Sequence, residues 1–356
     1  MMSILPDPGK PTVLVAVLNW GLGHAVRSIP MIRNLSKAGC EVLMASDGEA
    51  LEFLRRSFPE LPSIELPSYK IRYPLSSMYL NMGIQGPKIL KTARSEFKVI
   101  QKTIKEYAVR GILSDARFGC FSTVIPSIFI SHQVHLPIPD PVFYPLVNFF
   151  QKQLFQQYTE LWIPDFPAPY SLAGKLSANP PVSHARYIGL LSDMKLAPHL
   201  SKPDIDILAV LSGPEPQRSL FEEQIILQAR KTSNNIIIVS GKPKVSRQSS
   251  NSENLSIIPF LDRASLYHYI CRSNIMLSRS GYTTLMDLAK LGKNAILIPT
   301  PGQTEQEYLA QRHHKLGHFY TVSQKKFDLV EAWQQGRNRF SGIPANYLPN
   351  TGEALL

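Results

Sequence analysis

Short, almost wholly apolar runs recur along the chain, separated by longer stretches of mixed polarity. In the first half they are VLVAVL (13–18), EVLMAS (41–46), GILS (111–114), SIFIS (127–131) and LWIP (161–164). In the second half they are IDILAVLS (205–212), NIIIVS (235–240), LSIIPF (255–260), NIMLS (274–278) and NAILIP (294–299). Runs this short, rich in β-branched residues and without polar alternation, predict strands buried on both faces. Helical stretches between them predict βαβ crossovers and parallel sheets. The segment 184–203 has no sustained period and is dotted with Gly, Pro and Ser, which predicts a linker.

The expected architecture is therefore α/β, with two Rossmann-like parallel-sheet domains facing a cleft. Residues 1–188 form the first, 189–204 the connection and 205–356 the second, whose last segment is expected to return to the first domain. A chain of 356 residues exceeds the size at which one core usually stops growing. Open α/β sheets bind ligands beyond the carboxyl ends of their strands, so residues just after strands are the candidates for chemistry.

The first strand is followed by NWGLGHAVR (19–27) and then by a helix with Val26, Ile29, Ile32 and Leu35 on one face, ending near Gly39. Pro30 is expected close to that helix's first turn, where its missing N–H does no harm. A dinucleotide fingerprint would need glycine at Val26, which argues against a nicotinamide enzyme. His24 is the candidate general base, because an imidazole near its usual pKa accepts a proton at neutral pH. Asp115, at the end of the GILSD run, is its expected orienter. A helix-capping role remains open for each. Gly21, Gly23, Arg27, Arg117, His132 and Gln133 are the expected contacts to a polar substrate, with loop packing open for His132 and Gln133.

Composition narrows the setting. Lys and Arg number 38 against 27 Asp and Glu, a net charge of +11 that favours an anionic partner. Three scattered cysteines, Cys40, Cys120 and Cys271, form neither a disulfide framework nor a zinc spacing and fit a reducing cytoplasm. The N-terminus lacks a signal-peptide pattern, and no stretch approaches the roughly 20 apolar residues of a spanning helix. Between 69 and 107, an expected irregular loop with Tyr, Met and Leu precedes Lys88, Lys91, Arg94, Lys98, Lys102 and Lys105 at helical spacing. That face is either ordinary solvated surface or a contact with an anionic leaflet on the inner side of the membrane. PVFYPLVNFF (141–150) is either core or a hydrophobic acceptor rim. Basic residues interleaved with aromatics are absent, so nucleic acid is not an expected partner.

The richest stretch is SRSGYTTLMDLAKLGKNAILIPTPGQTEQEYLA (278–310). A strand ending in Ser-Arg-Ser-Gly and a helix from Tyr282 to Leu291 place free N–H groups where a diphosphate can bind. Asp287 suits a ribose diol, and Gln303, Glu305 and Gln306 suit sugar hydroxyls. Upstream, LSGPEPQRS (211–219) keeps Ser212 and Gly213 beside two prolines, and Arg218 either adds positive charge or is a solvated helix-start residue.

GLGHAVR, SRSGYTTLMD and PGQTEQEYLA together resemble the GT-B glycosyltransferases of the MurG-like group. The resemblance implies inverting transfer of a hexose or N-acetylhexosamine from a nucleotide sugar, most often UDP-linked, to a hydroxyl of an acceptor that is often lipid-linked. It implies diphosphate contacts at Gly281 and Thr283, a ribose contact at Asp287 and donor-sugar contacts at Glu305 and Gln306; Ser212, Gly213, Arg218, Arg279, Ser280 and Gln303, read from the residues themselves, complete the expected donor site. Phe260 and Leu261, in IIPFLD, would lie along the base. The group commonly has Glu where this chain has Asp287.

The expected mechanism uses no cofactor and no metal. Arg279 and the helix N-terminus would stabilise the leaving diphosphate. The one Asp-x-Asp, Asp204 and Asp206, falls at the start of a strand, away from the expected cleft, and reads as structural. Two rival readings keep the architecture: a nucleotide-sugar epimerase, and a non-catalytic protein that binds sugar nucleotides or glycolipids.

Overall fold

A computed structural model describes residues 9–70, 78–136, 142, 144–195, 203–242, 251–344 and 347–349. The chain divides into two compact units, with the division between Asp193 and Met194, inside the segment read as the connection. Residues 196–202 of that segment, and the final residues expected to return to the first domain, lie outside the described residues.

The first unit is built on strands β1 (Thr12–Val17), β2 (Glu41–Ser46), β3 (Ser63–Glu65), β4 (Val109–Asp115), β5 (Ser127–Ile130), β6 (Glu160–Ile163) and β7 (Ala185–Tyr187). They lie in the order β3-β2-β1-β4-β5-β6-β7, every pair parallel. Helices α1 (Leu22–Lys37), α2 (Gly48–Ser57), α3 (Met78–Glu106) and α4 (Tyr144–Phe155) connect them. Leu14, Ala16, Leu43, Ala45, Ile100 and Ile112 form a fully buried cluster between sheet and helix. Strand order reverses between β1 and β4, which pair with Val17 opposite Asp115. Chain connections leave in opposite directions at such a switch point and open a crevice beyond the strand ends.

The second unit repeats the plan with β8 (Ile205–Val210), β9 (Ile236–Val239), β10 (Asn251–Ser252), β11 (Leu255–Ile258), β12 (Ser273–Ser278), β13 (Ala295–Leu297) and β14 (Tyr320–Thr321). Their order is β10-β11-β9-β8-β12-β13-β14, parallel except for the short β10. The helices are α5 (Gln217–Ala229), α6 (Arg263–Arg272), α7 (Tyr282–Leu291), α8 (Thr304–Lys315) and α9 (Leu329–Arg339). Ile207, Ala209, Ile236, Ile275, Leu277 and Ile296 centre its core, with Phe221 and Trp333 packed on from α5 and α9. Here the switch point lies between β8 and β12.

All ten expected strands are present, and each differs from its apolar run by no more than a few residues. Short strands at or near the sheet edges were missed, including β7 inside the stretch read as linker, because three residues carry too little periodicity to stand out. Two other expectations need correction. Helix α1 begins at Leu22, so Pro30 lies in its third turn rather than its first. The helix starts early because Gly21, with φ +79°, takes the N-cap in a conformation only glycine adopts freely. Likewise α3 begins at Met78, inside the expected irregular loop. From Lys88 onward its six basic side chains are all exposed, while Ile89, Glu96, Ile100 and Thr103 face inward.

Candidate active site

In the first unit the switch point collects five polar side chains. His24 stands in the first turn of α1, and Asp115, fully buried, ends β4. His24 Nδ1 lies 3.0 Å from Asp115 Oδ1. Arg27, three residues along α1, is only 3% exposed and grips the same carboxylate, with Nε donating to Oδ2 at 2.8 Å and Nη2 to Oδ1. Its Nη1 donates to Nδ1 of buried His132 at 3.2 Å, and Nη2 stands 3.0 Å from His24 Nδ1. Ser28 adds a hydroxyl 3.4 Å from Asp115 Oδ2.

The electrostatics follow from this packing. Burial would raise the Asp115 carboxyl, but the Arg27 charge and then His24 outweigh it and hold the group well below the usual carboxylate range. Burial and then Arg27 push the His24 imidazole below its ordinary value, with Asp115 opposing them. His24 keeps 19% of its side chain exposed, and is the member of the cluster open to a ligand.

The structure therefore brings His24 and Asp115 together across 91 positions of sequence. It corrects two of the expected substrate contacts. Arg27 is turned inward on Asp115. Arg117 is fully buried, donating to Asp47 at 2.7 Å and Glu96 at 2.7 Å, with Tyr69 stacked 5.6 Å from its guanidinium. Both arginines reside where the sheet would otherwise leave buried carboxylates unpaired. Gly23 is in the first turn of α1, and Gln133, partly exposed, follows His132 in the loop after β5. Glu96 went unnoticed in the sequence, although its place among Ile89, Ile100 and Thr103 on the inward stripe of α3 marks it.

The second unit gathers the expected donor residues at the carboxyl ends of β8, β11, β12 and β13. Ser212 and Gly213 follow β8, with Gly213 at φ +102°. Arg218 does not offer free charge: its Nε and Nη2 donate to Glu215 and its Nη1 donates to the Gly241 carbonyl at 2.6 Å. Phe260 and Leu261 lie partly exposed between β11 and α6. Gly281 is the N-cap of α7, no side chain caps that helix start, and a Cβ at Gly281 would meet nothing within 4 Å. Thr283 sits in the helix's first turn. Ser280, fully buried, donates to the Gln306 carbonyl at 2.8 Å.

Arg279, expected beside the diphosphate, is 1% exposed and lies beneath the loops. It donates to the carbonyls of Ile298, Pro299 and Gln217, and its guanidinium carbon is 4.4 Å from the Phe221 ring centre. No carboxylate among the described residues pairs with it, and burial lowers its pKa to about 10. One arginine thus ties the loops after β8, β12 and β13 together. Asp287, expected on the ribose, is held by Arg263 of α6 through two bonds of 2.7 Å. Gln306 Oε1 accepts from Thr300 N at 2.9 Å while its Nε2 donates to Gln303 at 2.5 Å, so this pair shapes the entry into α8, whose first turn carries Glu305. Ser278 Oγ, Thr300 Oγ1 and Arg279 Nε are buried without a hydrogen-bond partner among the described residues. Native interiors rarely leave such groups unpaired away from functional sites.

Asp204 and Asp206, at the start of β8, bond Arg272, Asn235 and Asn274. That is a structural role, as read from the sequence. Among the described residues no His, Cys, Asp or Glu cluster has the arrangement of a metal site.

Residues 210–339 match the family described as the glycosyltransferase family 28 C-terminal domain. An uncharacterized glycosyltransferase of Methanosarcina acetivorans is 23% identical over 330 residues, covering 83% of this chain and 81% of that protein. The UDP-N-acetylglucosamine--N-acetylmuramyl-(pentapeptide) pyrophosphoryl-undecaprenol N-acetylglucosamine transferase of Caldanaerobacter subterraneus is 24% identical over 151 residues, 40% of each chain. Among solved structures, the glycotransferase of kitacinnamycin aligns with a TM-score of 0.65 at 13% identity, covering 96% of this chain and 93% of that one. MurG of Acinetobacter baumannii aligns at 0.54 and 15%, covering 95% and 97%. Two parallel-sheet units of this plan, aligned with these solved glycosyltransferases, have the GT-B fold. Within that fold the chain resembles MurG: residues 210–339 match the family 28 C-terminal domain, and the chain aligns with MurG over most of its length.

Proposed function

We propose that the protein transfers a hexose or N-acetylhexosamine from a UDP-sugar to a hydroxyl of a lipid-linked acceptor, inverting the anomeric centre and using no metal. The contact of His24 Nδ1 with Asp115 Oδ1 at 3.0 Å carries this reading. A carboxylate on Nδ1 leaves Nε2 as the proton acceptor, the arrangement a general base needs. The acceptor O–H bond breaks and its proton passes to His24 Nε2. The freed oxygen pair forms the bond to the anomeric carbon, and the bond from that carbon to the β-phosphate oxygen breaks with its electrons. The nucleoside diphosphate then departs with the added negative charge, which the N-terminus of α7 favours.

Support for the donor comes from the uncapped helix at Gly281, the orphaned hydroxyls of Ser278 and Thr300, and the UDP-sugar in the name of the Caldanaerobacter relative. Support for a lipid-linked acceptor comes from the undecaprenol in that name and from two features of the first unit. Helix α3 exposes six basic side chains, and α4 leaves Leu146, Phe149 and Phe150 more than half exposed. A basic face with apolar side chains suits contact with an anionic bilayer surface. No helix among the described residues is long and apolar enough to cross a membrane.

The test screens UDP-, GDP- and TDP-sugars with a polyprenyl-diphosphate acceptor in EDTA and reads the product's anomeric configuration. Inverted product from a UDP-sugar, with turnover reduced about 10²-fold or more in His24→Ala, is expected. Retained configuration, loss of activity in chelator or unchanged turnover in the variant would sink the proposal.

A further inference from the structure

Arg27 occupies a place that a simple His–Asp pair leaves empty. Its guanidinium takes both oxygens of Asp115 and also stands 3.0 Å from His24 Nδ1. Nδ1 of a neutral imidazole is either a donor or an acceptor. If it carries hydrogen it donates to Asp115 and leaves Nε2 able to receive a proton. If it is bare it accepts from Arg27, and Nε2 carries hydrogen and cannot act as base.

The charges around the ring decide more than the tautomer. Among the described residues His24 meets Arg27 from α1, Asp115 from β4 and, through Arg27, His132 from the loop after β5. Without Arg27, a buried carboxylate beside the imidazole would favour the imidazolium strongly. With its two-pronged hold on that carboxylate, the local charge is already balanced before His24 takes a proton. A second positive charge is then disfavoured in a buried pocket.

We propose that Arg27 is the positioning residue of the base: it anchors Asp115 in the plane that orients His24 and keeps the imidazole neutral, with Nε2 unprotonated, into mildly acidic solution. This rests on the reading of His24 as the base. Arg27 touches neither donor nor acceptor; it acts through Asp115 and the ring.

The experiment uses full-length protein with ¹⁵N-labelled histidine. The His24 nitrogen shifts are followed against pH in wild type, Arg27→Lys and Arg27→Gln, alongside the pH profile of kcat/KM. Wild-type His24 is expected to stay neutral below the ordinary histidine range, with Nδ1 as the protonated nitrogen. In Arg27→Gln its titration, and the acid limb of kcat/KM, are expected to move up by about one pH unit or more. Arg27→Lys, which keeps the charge without the planar fork, is expected to fall between the two and covers the case in which the Gln variant does not fold. An unchanged His24 titration in either folded variant, or wild-type His24 with hydrogen on Nε2, overturns the proposal. If the titration moves while the rate profile does not follow it, Arg27 has the stated effect and the reading of His24 as base fails instead.

Discussion

Asp287 and Arg263 meet fork to fork, with two bonds of 2.7 Å joining the first turn of α6 to the middle of α7. The pair is mostly buried, so removing one partner leaves the other's charge poorly solvated. Arg263→Ala is expected to lower stability by about 1–3 kcal/mol in urea unfolding, with an unchanged slope. Asp287→Asn in the same background is expected to recover part of that loss, because the stranded carboxylate disappears. Independent, additive losses would show that the two groups do not act as a pair.

Arg279 makes a second prediction. Arg279→Met fills much of the same volume yet abandons the carbonyls of Ile298, Pro299 and Gln217. A cost of about 2–4 kcal/mol is expected, with Arg279→Lys nearly as damaging, since a single ammonium cannot reach carbonyls on separate loops. Nucleotide affinity, measured by calorimetry on the folded fraction, is expected to fall with it. Wild-type stability in Arg279→Met would refute the loop-bracing role.

His318 gives the second unit a pH dependence. Burial, and then the charge of Arg312, lower its pKa to about 4, and its Nδ1 lies 3.0 Å from His313 Nδ1. The unfolded chain takes up this proton near pH 6.5 and the folded one only near 4, so stability is present above 6.5 and lost as pH falls between the two. The loss is expected to reach up to about 3 kcal/mol, visible as a melting temperature that drops across that window. His318→Asn is expected to flatten the drop. A variant that melts with the full wild-type pH dependence would assign it to other groups.

The exposed apolar side of α4 is expected to be separable from catalysis. Replacing Phe149 and Phe150 together by serine is expected to leave stability within about 0.5 kcal/mol, because both rings are more than half exposed. Sedimentation with anionic vesicles is expected to weaken, and turnover on a water-soluble acceptor analogue to persist. Undiminished vesicle binding would shift the contact to the basic side chains of α3 or remove it altogether.

Local pattern carried the plan of the molecule. Uninterrupted apolar runs announced ten of the strands, and the glycine after β12 announced where α7 would begin, whereas α1 starts earlier than its sequence suggested. Candidate positions followed, because parallel sheets leave their functional loops at the strand ends. Roles were harder to read. Arg27 and Arg117 looked alike as basic residues near strand ends, yet both became buried partners of carboxylates, and Arg218 was neutralised within its own loop by Glu215.

A strand reveals itself because burial on both faces forces its own residues to be apolar, and the chain alone therefore determined the two parallel-sheet units, the placement of His24 after β1 and of Gly281 before α7. Whether a charged side chain faces a ligand or a buried partner depends on groups brought in from distant segments. Only the tertiary structure could decide that Asp115 meets Arg27 across 88 positions, that Arg263 claims Asp287, and that Arg279 lies under the loops it was expected to top. Desolvation makes each such pairing nearly obligatory once the fold forms.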